Sequence, residues 1–172
     1  KSFNRILISA CGSAWHAALV AKFYLESFTK LPVEVDYASE FRYRDAICDE
    51  KTLFIAISQS GETADTLGAL EKAGTEGATT LAISNVIGSS ITRKAEHILY
   101  TRAGPEISVA STKAFMSQLI AGYLLAVYLG NERGTLAKDL AADYIDQIVH
   151  LPQIIQKALE KEDFVEGFHI KK

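Results

Sequence analysis

The 172-residue sequence is poor in cysteine, in net charge and in long apolar runs. Its two cysteines, Cys11 and Cys48, lack the spacing of a metal site, so we expect reduced thiols in a cytoplasmic protein. The net charge of −3 comes without a basic block, so we expect neither nucleic acid nor an anionic membrane as a partner. The apolar runs look too short or too interrupted to span a bilayer.

Two glycine-rich nucleotide motifs are also missing. The sequence has no Gly-x-x-x-x-Gly-Lys-Ser/Thr, and therefore no lysine placed to reach the β- and γ-phosphates of a nucleoside triphosphate. After the first predicted strand, Gly12 stands without the other glycines of Gly-x-Gly-x-x-Gly, which excludes a Rossmann dinucleotide site.

Short apolar segments alternate with amphipathic segments along the chain. The predicted strands are 5–10, 33–36, 52–57, 79–84 and 97–101, the last with the polar ends of an edge strand. The predicted helices are 14–29, 38–44, 64–73, 90–94, 110–129 and 136–160. Gly130-Asn131 should stop the fifth helix, and Pro152 should kink or divide the sixth. This alternation predicts an α/β fold with a parallel sheet covered on both faces.

A hydroxyl-rich turn, residues 58–63 with the sequence Ser-Gln-Ser-Gly-Glu-Thr, follows the third predicted strand. The first N–H groups of the next helix have no internal partner and carry the positive end of its dipole. Ser58, Ser60 and Thr63 add side-chain donors, and Gly61 lets the backbone approach a ligand. We predict a site for a single phosphate ester. The alternative is that the hydroxyls are ordinary turn and cap residues.

A second turn of the same construction, Cys11-Gly12-Ser13, follows the first predicted strand. If the first and third strands are neighbours, Ser13 and the 58–63 turn line one crevice, which the helix start at Ser111 could close. His16 is expected to be a partly exposed helix residue. Glu62 should point away along its helix, because a carboxylate aimed at the crevice would repel phosphate.

Three motifs, residues 11–13, 58–66 and 109–113, resemble the sugar isomerase (SIS) domain. A fourth, Ala-Ser-Glu-Phe-Arg-Tyr-Arg at 38–44, is similar to the isomerase half of the glutamine–fructose-6-phosphate aminotransferase family. The resemblance implies a three-layer αβα sandwich around a flavodoxin-like, five-stranded parallel sheet. It also implies a phosphosugar-binding domain at 1–135 and a helical extension at 136–172 that leads toward a second SIS domain.

The resemblance further implies which residues bind the substrate. The implied phosphate ligands are Ser58, Gln59, Ser60 and Thr63. The implied sugar-lining residues are Ser13, Val109 and Ser111. Ser13 replaces a threonine of many relatives and keeps the hydroxyl. Ala14 replaces a frequent serine, so one phosphate contact is either lost or made by a backbone N–H instead.

The family carries parts that are outside this sequence: a glutaminase domain with a terminal cysteine nucleophile, and a second SIS domain that supplies Glu, His and Lys for isomerisation. We therefore expect no catalytic residue in this chain, and binding of fructose 6-phosphate or glucosamine 6-phosphate without turnover. The whole enzyme would convert fructose 6-phosphate and glutamine to glucosamine 6-phosphate and glutamate. No metal or organic cofactor is implied.

Several alternatives stay open at this point. The chain could belong to a deglycase or isomerase with two SIS domains, or to a non-catalytic phosphosugar sensor fused to a DNA-binding domain. Segment 38–44 could be a short helix with solvated charges or a subunit contact. We expect a homodimer, because helices 110–129 and 136–160 have broad apolar faces. The start without methionine and the new apolar pattern at 164–172 suggest a piece of a longer polypeptide.

Overall fold

Five parallel strands form one sheet in the computed structural model, which describes residues 3–160. The strands are β1 (Arg5–Ala10), β2 (Val33–Tyr37), β3 (Thr52–Ser58), β4 (Thr79–Ser84) and β5 (His97–Tyr100). Their order across the sheet is β2-β1-β3-β4-β5, with every pair parallel. This is the flavodoxin-like order, so the predicted fold class is confirmed, as is the edge position of the fifth strand.

Helices cover both faces of the sheet. They are α1 (Ser13–Thr29), α2 (Ala38–Tyr43), α3 (Ala64–Thr75), α4 (Ser90–Lys94), α5 (Lys113–Glu132) and α6 (Lys138–Leu159). Buried residues of α1 and α5 form one core cluster with one face of the sheet, and those of α2, α3 and α4 form a second cluster with the other face. The predicted three-layer arrangement is therefore confirmed.

The central strand β3 shows why the sequence specifies this architecture. All seven of its residues are buried. Leu53, Ile55 and Ile57 pack toward α1 and α5, while Phe54 and Ala56 pack toward α2 and α3. A strand covered on both faces needs apolar side chains at odd and even positions, and the sequence therefore reads as a continuous apolar run.

Helices α1 and α5 pack so closely that glycine is required at their contact. A Cβ on Gly122 would lie 2.8 Å from the Cβ of Ala21, and one on Gly130 would lie 2.9 Å from the carbonyl oxygen of Phe28. The prediction that Gly130-Asn131 stops α5 is wrong, because Gly130 lies inside the helix at this contact. The helix continues to Glu132, and the positive φ of 70° occurs at Gly134.

The last described helix, α6, runs from Lys138 to Leu159 as one element and contains Pro152. Pro152 does not divide this helix, and the kink that the sequence allowed as the other outcome stays a prediction. A proline inside a helix removes one N–H donor from it. The apolar pattern predicted at 164–172 lies outside the described residues.

Helix α5 corrects one expectation about membranes. Of the described helices, it is the one that is long and apolar enough to cross a bilayer by length and composition. The expectation that the apolar runs are too short or too interrupted to span a bilayer therefore does not hold for α5. In the fold this helix packs against α1, and 44% of its most apolar window is buried within the protein.

Candidate functional site

The turn after β3 is closed by its own hydroxyl groups. Ser58 is buried, and its Oγ accepts a hydrogen bond from the backbone N–H of Gly61 at 3.0 Å. The same oxygen lies 3.1 Å from Oγ1 of Thr63. Ser60 Oγ accepts a hydrogen bond from the N–H of Glu62 at 3.2 Å. The three hydroxyls thus shape the turn, in agreement with the turn part of the alternative interpretation.

The cap part of that interpretation is wrong for Thr63. Thr63 is the N-cap residue of α3, yet no side chain in the described part of the chain caps this helix end. The Thr63 hydroxyl contacts Ser58 instead. The first N–H groups of α3, together with the positive end of its dipole, are therefore available to an anion at this turn.

The segment that joins β4 to α4, together with the start of α4, forms hydrogen bonds with the turn. The N–H of Asn85 donates to the carbonyl of Gln59 at 3.1 Å, and the N–H of Ile91 donates to the carbonyl of Gly61 at 3.0 Å. Gly61 has a φ of 68°, and a Cβ there would lie 2.1 Å from Oγ of Ser89. Glycine is required at this position both for the left-handed backbone and for the space that Ser89 fills.

Glu62 points away from the turn, but not along α3 as the sequence suggested. Its Oε1 accepts a hydrogen bond of 2.7 Å from the N–H of Ser90, at the start of α4. The hydrogen bonds from Ser90 and the nearby charge of Arg93 hold the pKa of the Glu62 carboxyl below its usual range. The Glu62 carboxylate is thus held by the first N–H group of a neighbouring helix.

Strands β1 and β3 are neighbours, which brings the two predicted turns to the same edge of the sheet. Ala10 lies opposite Ile57 in the register, so β1 and β3 end side by side. Ser13 is exposed at the start of α1, and His16 is exposed one turn later, as predicted. Ala14 is buried in the core.

The third predicted element is the loop before α5. Val109 is fully exposed, and Ser111 is partly buried just before the helix begins. The structure shows a residue that the sequence analysis missed: Glu106, whose carboxylate accepts hydrogen bonds from the N–H groups of Thr112 at 3.2 Å and Ala114 at 2.9 Å. The capping-box spacing could not reveal it, because Glu106 lies six and eight residues before its partners.

Segment 38–44 forms the short helix α2, with paired charges. Arg42 Nη1 donates to Oδ1 of Asp65 in α3 at 3.2 Å, and Arg44 Nε donates to Oδ2 of Asp36 at 2.7 Å. The short helix is confirmed, and both arginines are exposed to solvent while they form these surface ion pairs. The subunit contact proposed for this segment stays a prediction.

A cavity of about 580 Å³ lies away from these turns, at the end of the sheet where the strands begin. Its walls are mostly apolar and include Leu53, Leu81, Tyr128 and Leu129, and none of the seven predicted ligand residues lines it. Within residues 3–160 no group of three or more His, Cys, Asp or Glu side chains is arranged to hold a metal ion. The turn at the end of β3 presents hydroxyl groups and the first N–H groups of α3.

Fold and site together define a class: an open α/β domain that presents hydroxyl groups and a helix N-terminus at the carboxyl ends of adjacent parallel strands. Residues 1–128 match the SIS domain family, and the chain belongs to that family. The predicted family resemblance is confirmed.

Curated relatives narrow the comparison. The chain is 50% identical over 176 residues to glutamine–fructose-6-phosphate aminotransferase (isomerizing) from Clostridium tetani, which covers 100% of this chain and 29% of that protein. It is 50% identical over 165 residues to the protein of the same name from Mycolicibacterium smegmatis, with 96% and 26% covered. The chain thus spans less than a third of the length of these relatives.

A solved structure agrees with this placement. The C-terminal domain of glucosamine-fructose-6-phosphate aminotransferase from Francisella tularensis superposes with a TM-score of 0.89 at 36% identity, covering 96% of this chain and 47% of that one. A glucosamine-6-phosphate deaminase from Thermotoga maritima, at 20% identity and a TM-score of 0.72, shares the fold.

Proposed function

We propose that this chain is the phosphosugar-binding SIS domain of an isomerising glutamine–fructose-6-phosphate aminotransferase. Its ligand would be fructose 6-phosphate or the product glucosamine 6-phosphate. The observation that carries the proposal is the hydroxyl-rich turn from Ser58 to Thr63 at the uncapped start of α3.

The phosphate would bind to this turn. Ser58, Gln59, Ser60 and Thr63 are the proposed ligands, with the first N–H groups of α3 as additional donors. Hydrogen bonds to an ionised group are about twice as strong as neutral ones, so a few hydroxyls and N–H groups suffice to hold a phosphate ester. The hydrogen bond from Ser90 holds the Glu62 carboxylate at the start of α4 instead of in the phosphate turn.

The sugar would lie between the start of α1 and the loop before α5. Ser13, Val109 and Ser111 are the proposed lining residues. The parallel pairing of β1 with β3 supports this position for Ser13, because both strands end at the same edge. Ring opening and proton transfer between C1 and C2 need a positioned acid and base. We expect these groups from the second SIS domain, so we assign no catalytic residue to this chain.

The remaining chemistry would come from other parts of a longer polypeptide: a glutaminase domain and a second SIS domain. Residues 136–172 would lead toward the latter, after a binding domain at 1–135. The names of the curated relatives support this assignment over the deglycase and sensor alternatives. The whole protein would make glucosamine 6-phosphate and glutamate from fructose 6-phosphate and glutamine.

We further propose that the protein is a cytoplasmic homodimer. Large apolar side chains are exposed along α5 and α6, among them Met116, Tyr128, Val149 and Ile154, and such faces are typical of interfaces. Both cysteines are free, which fits a reducing compartment. Sedimentation at micromolar concentration would contradict the dimer if it detected a single species of 18.8 kDa.

Calorimetric titration tests the binding proposal. Fructose 6-phosphate and glucosamine 6-phosphate should bind to the chain, and unphosphorylated fructose should bind far more weakly. Ser60→Ala and Thr63→Ala should each weaken phosphosugar binding by roughly 10- to 100-fold, as expected for loss of a hydrogen bond to a charged group. Ser27→Ala, in an exposed position of α1, is the matched control. Equal affinity for fructose, or equal affinity in all three variants, would contradict the proposal.

A further inference from the structure

The Glu106 carboxylate joins the two ends of the loop that contains the proposed sugar-lining residues. Its Oε2 accepts hydrogen bonds from the N–H groups of Thr112 at 3.2 Å and Ala114 at 2.9 Å. Its Oε1 accepts a hydrogen bond from the Thr112 hydroxyl at 3.2 Å. One side chain at the start of the loop therefore makes three contacts with the start of α5.

Residues 107–111, between these contacts, have little other support. Ile107 and Val109 are almost completely exposed. Within the described part of the chain, residues 107–111 make no hydrogen bond to the rest of the protein. The hydrogen bonds of Glu106 with Thr112 and Ala114 lie just outside this segment. The conformation of the loop thus depends largely on how its ends are fixed.

The surroundings of Glu106 favour a positioning role over a role in proton transfer. Hydrogen bonds from Ala114 and Thr112, with the nearby charge of Lys113, hold the pKa of the Glu106 carboxyl below its usual range. A carboxylate with a lowered pKa is a weak proton acceptor at neutral pH. Its negative charge also complements the positive end of the α5 dipole.

We propose that Glu106 is a positioning residue that fixes the loop of residues 107–111 and thereby determines affinity for the sugar part of a phosphosugar, separately from its phosphate. The inference rests on the proposed function, because it assigns Val109 and Ser111 to the sugar. The phosphate turn at 58–63 belongs to a different segment, and its hydrogen bonds do not involve Glu106.

The test compares the wild-type chain with Glu106→Ala and Glu106→Gln, each titrated with fructose 6-phosphate and with inorganic phosphate. Glu106→Ala should weaken fructose 6-phosphate binding about tenfold, equivalent to one lost hydrogen bond to a charged group, and leave phosphate affinity within about twofold. The affinity of Glu106→Gln for fructose 6-phosphate should lie between those of wild type and Glu106→Ala. The reason is that the amide oxygen can still accept a hydrogen bond, whereas the amide nitrogen cannot. Glu132→Ala, at the other end of α5, is the control for charge.

Amide hydrogen exchange gives a second readout that needs no ligand. Thr112 and Ala114 should lose protection in Glu106→Ala and keep it in Glu132→Ala. Unchanged exchange, or an equal loss of affinity for both ligands, would overturn the inference. If wild-type protein bound neither ligand, the proposed function would fail, and the assignment of the loop to the sugar would fail with it.

Discussion

The hydroxyl oxygens of Ser58 and Thr63 lie 3.1 Å apart across the turn that joins β3 to α3. Ser58 Oγ already accepts a hydrogen bond from the N–H of Gly61. If the Ser58 hydroxyl donates to Thr63, the Thr63 hydrogen is left to donate to a ligand. In this arrangement the Ser58 hydroxyl assists phosphate binding indirectly, because it orients the Thr63 hydroxyl that donates to the phosphate.

This relationship predicts different effects at position 63. Thr63→Ser keeps a hydroxyl and should bind fructose 6-phosphate within about threefold of wild type. Thr63→Val has almost the same shape without the donor and should lose roughly 10- to 100-fold. Calorimetry on the two variants checks the prediction. Equal affinities would show that the hydroxyl of Thr63 does not contact the phosphate.

The contact between Gly61 and Ser89 predicts a pair of coupled substitutions. Gly61→Ala should lower the free energy of unfolding by about 1–3 kcal/mol, because it forces a side chain into a left-handed backbone and into contact with Ser89. Ser89→Gly removes the two atoms nearest to the new methyl group, Oγ at 2.1 Å and Cβ at 2.6 Å, and leaves the Oγ of Ser84 at 2.9 Å. The double variant should therefore be more stable than the sum of the single effects, measured by urea unfolding. Simple additivity would contradict this packing.

The contact between α1 and α5 predicts opposite outcomes for two helical glycines. Gly122→Ala should destabilise the protein by about 1–3 kcal/mol, because its Cβ would lie 2.8 Å from that of Ala21. Gly74→Ala in α3 should instead stabilise it by about 0.4–1 kcal/mol, since the nearest atom would be 3.7 Å away. Thermal unfolding of both variants gives the comparison. A neutral Gly122→Ala would show that the helices are less close than described.

The Glu62–Ser90 hydrogen bond predicts a dependence of stability on acid. The folded state holds the pKa of Glu62 below its ordinary value of about 4.3. Its contribution is therefore present above that ordinary value and is lost as the pH falls through the lowered pKa of the folded state. Glu62→Gln should make the fall of stability below about pH 4.3 shallower. Thermal unfolding between neutral and acidic pH would contradict this if the two curves were parallel.

Much of the fold could be predicted from local pattern. The buried run of β3 and the glycine-containing turns after β1 and β3 determine the strand and helix starts from neighbouring residues alone. The end of α5 could not be predicted in this way. Gly130 resembles a helix stop in sequence, but it lies inside α5, where the missing side chain leaves room for the carbonyl of Phe28 from α1. The two residues are about a hundred positions apart in the chain.

The candidate site divides in the same manner. The turn at 58–63 is contiguous, so its hydroxyl pattern is visible in the sequence. Ser89 contacts Gly61, which is distant in the sequence, so this contact is seen only once the fold is known. Glu106 precedes its partner Ala114 by a spacing that no known motif has. The sequence predicted that Glu62 points away from the turn, but not that it bonds to Ser90, because Ser90 belongs to another strand–helix connection.

Amide NMR mapping of ligand binding tests the central claim most directly. Fructose 6-phosphate should shift the amides of residues 58–64, together with those near Ser13 and at 109–111. Inorganic phosphate should shift the 58–64 group alone. Shifts centred instead on the apolar cavity at the other end of the sheet, near Leu53 and Tyr128, would contradict a phosphosugar site at the ends of β1 and β3.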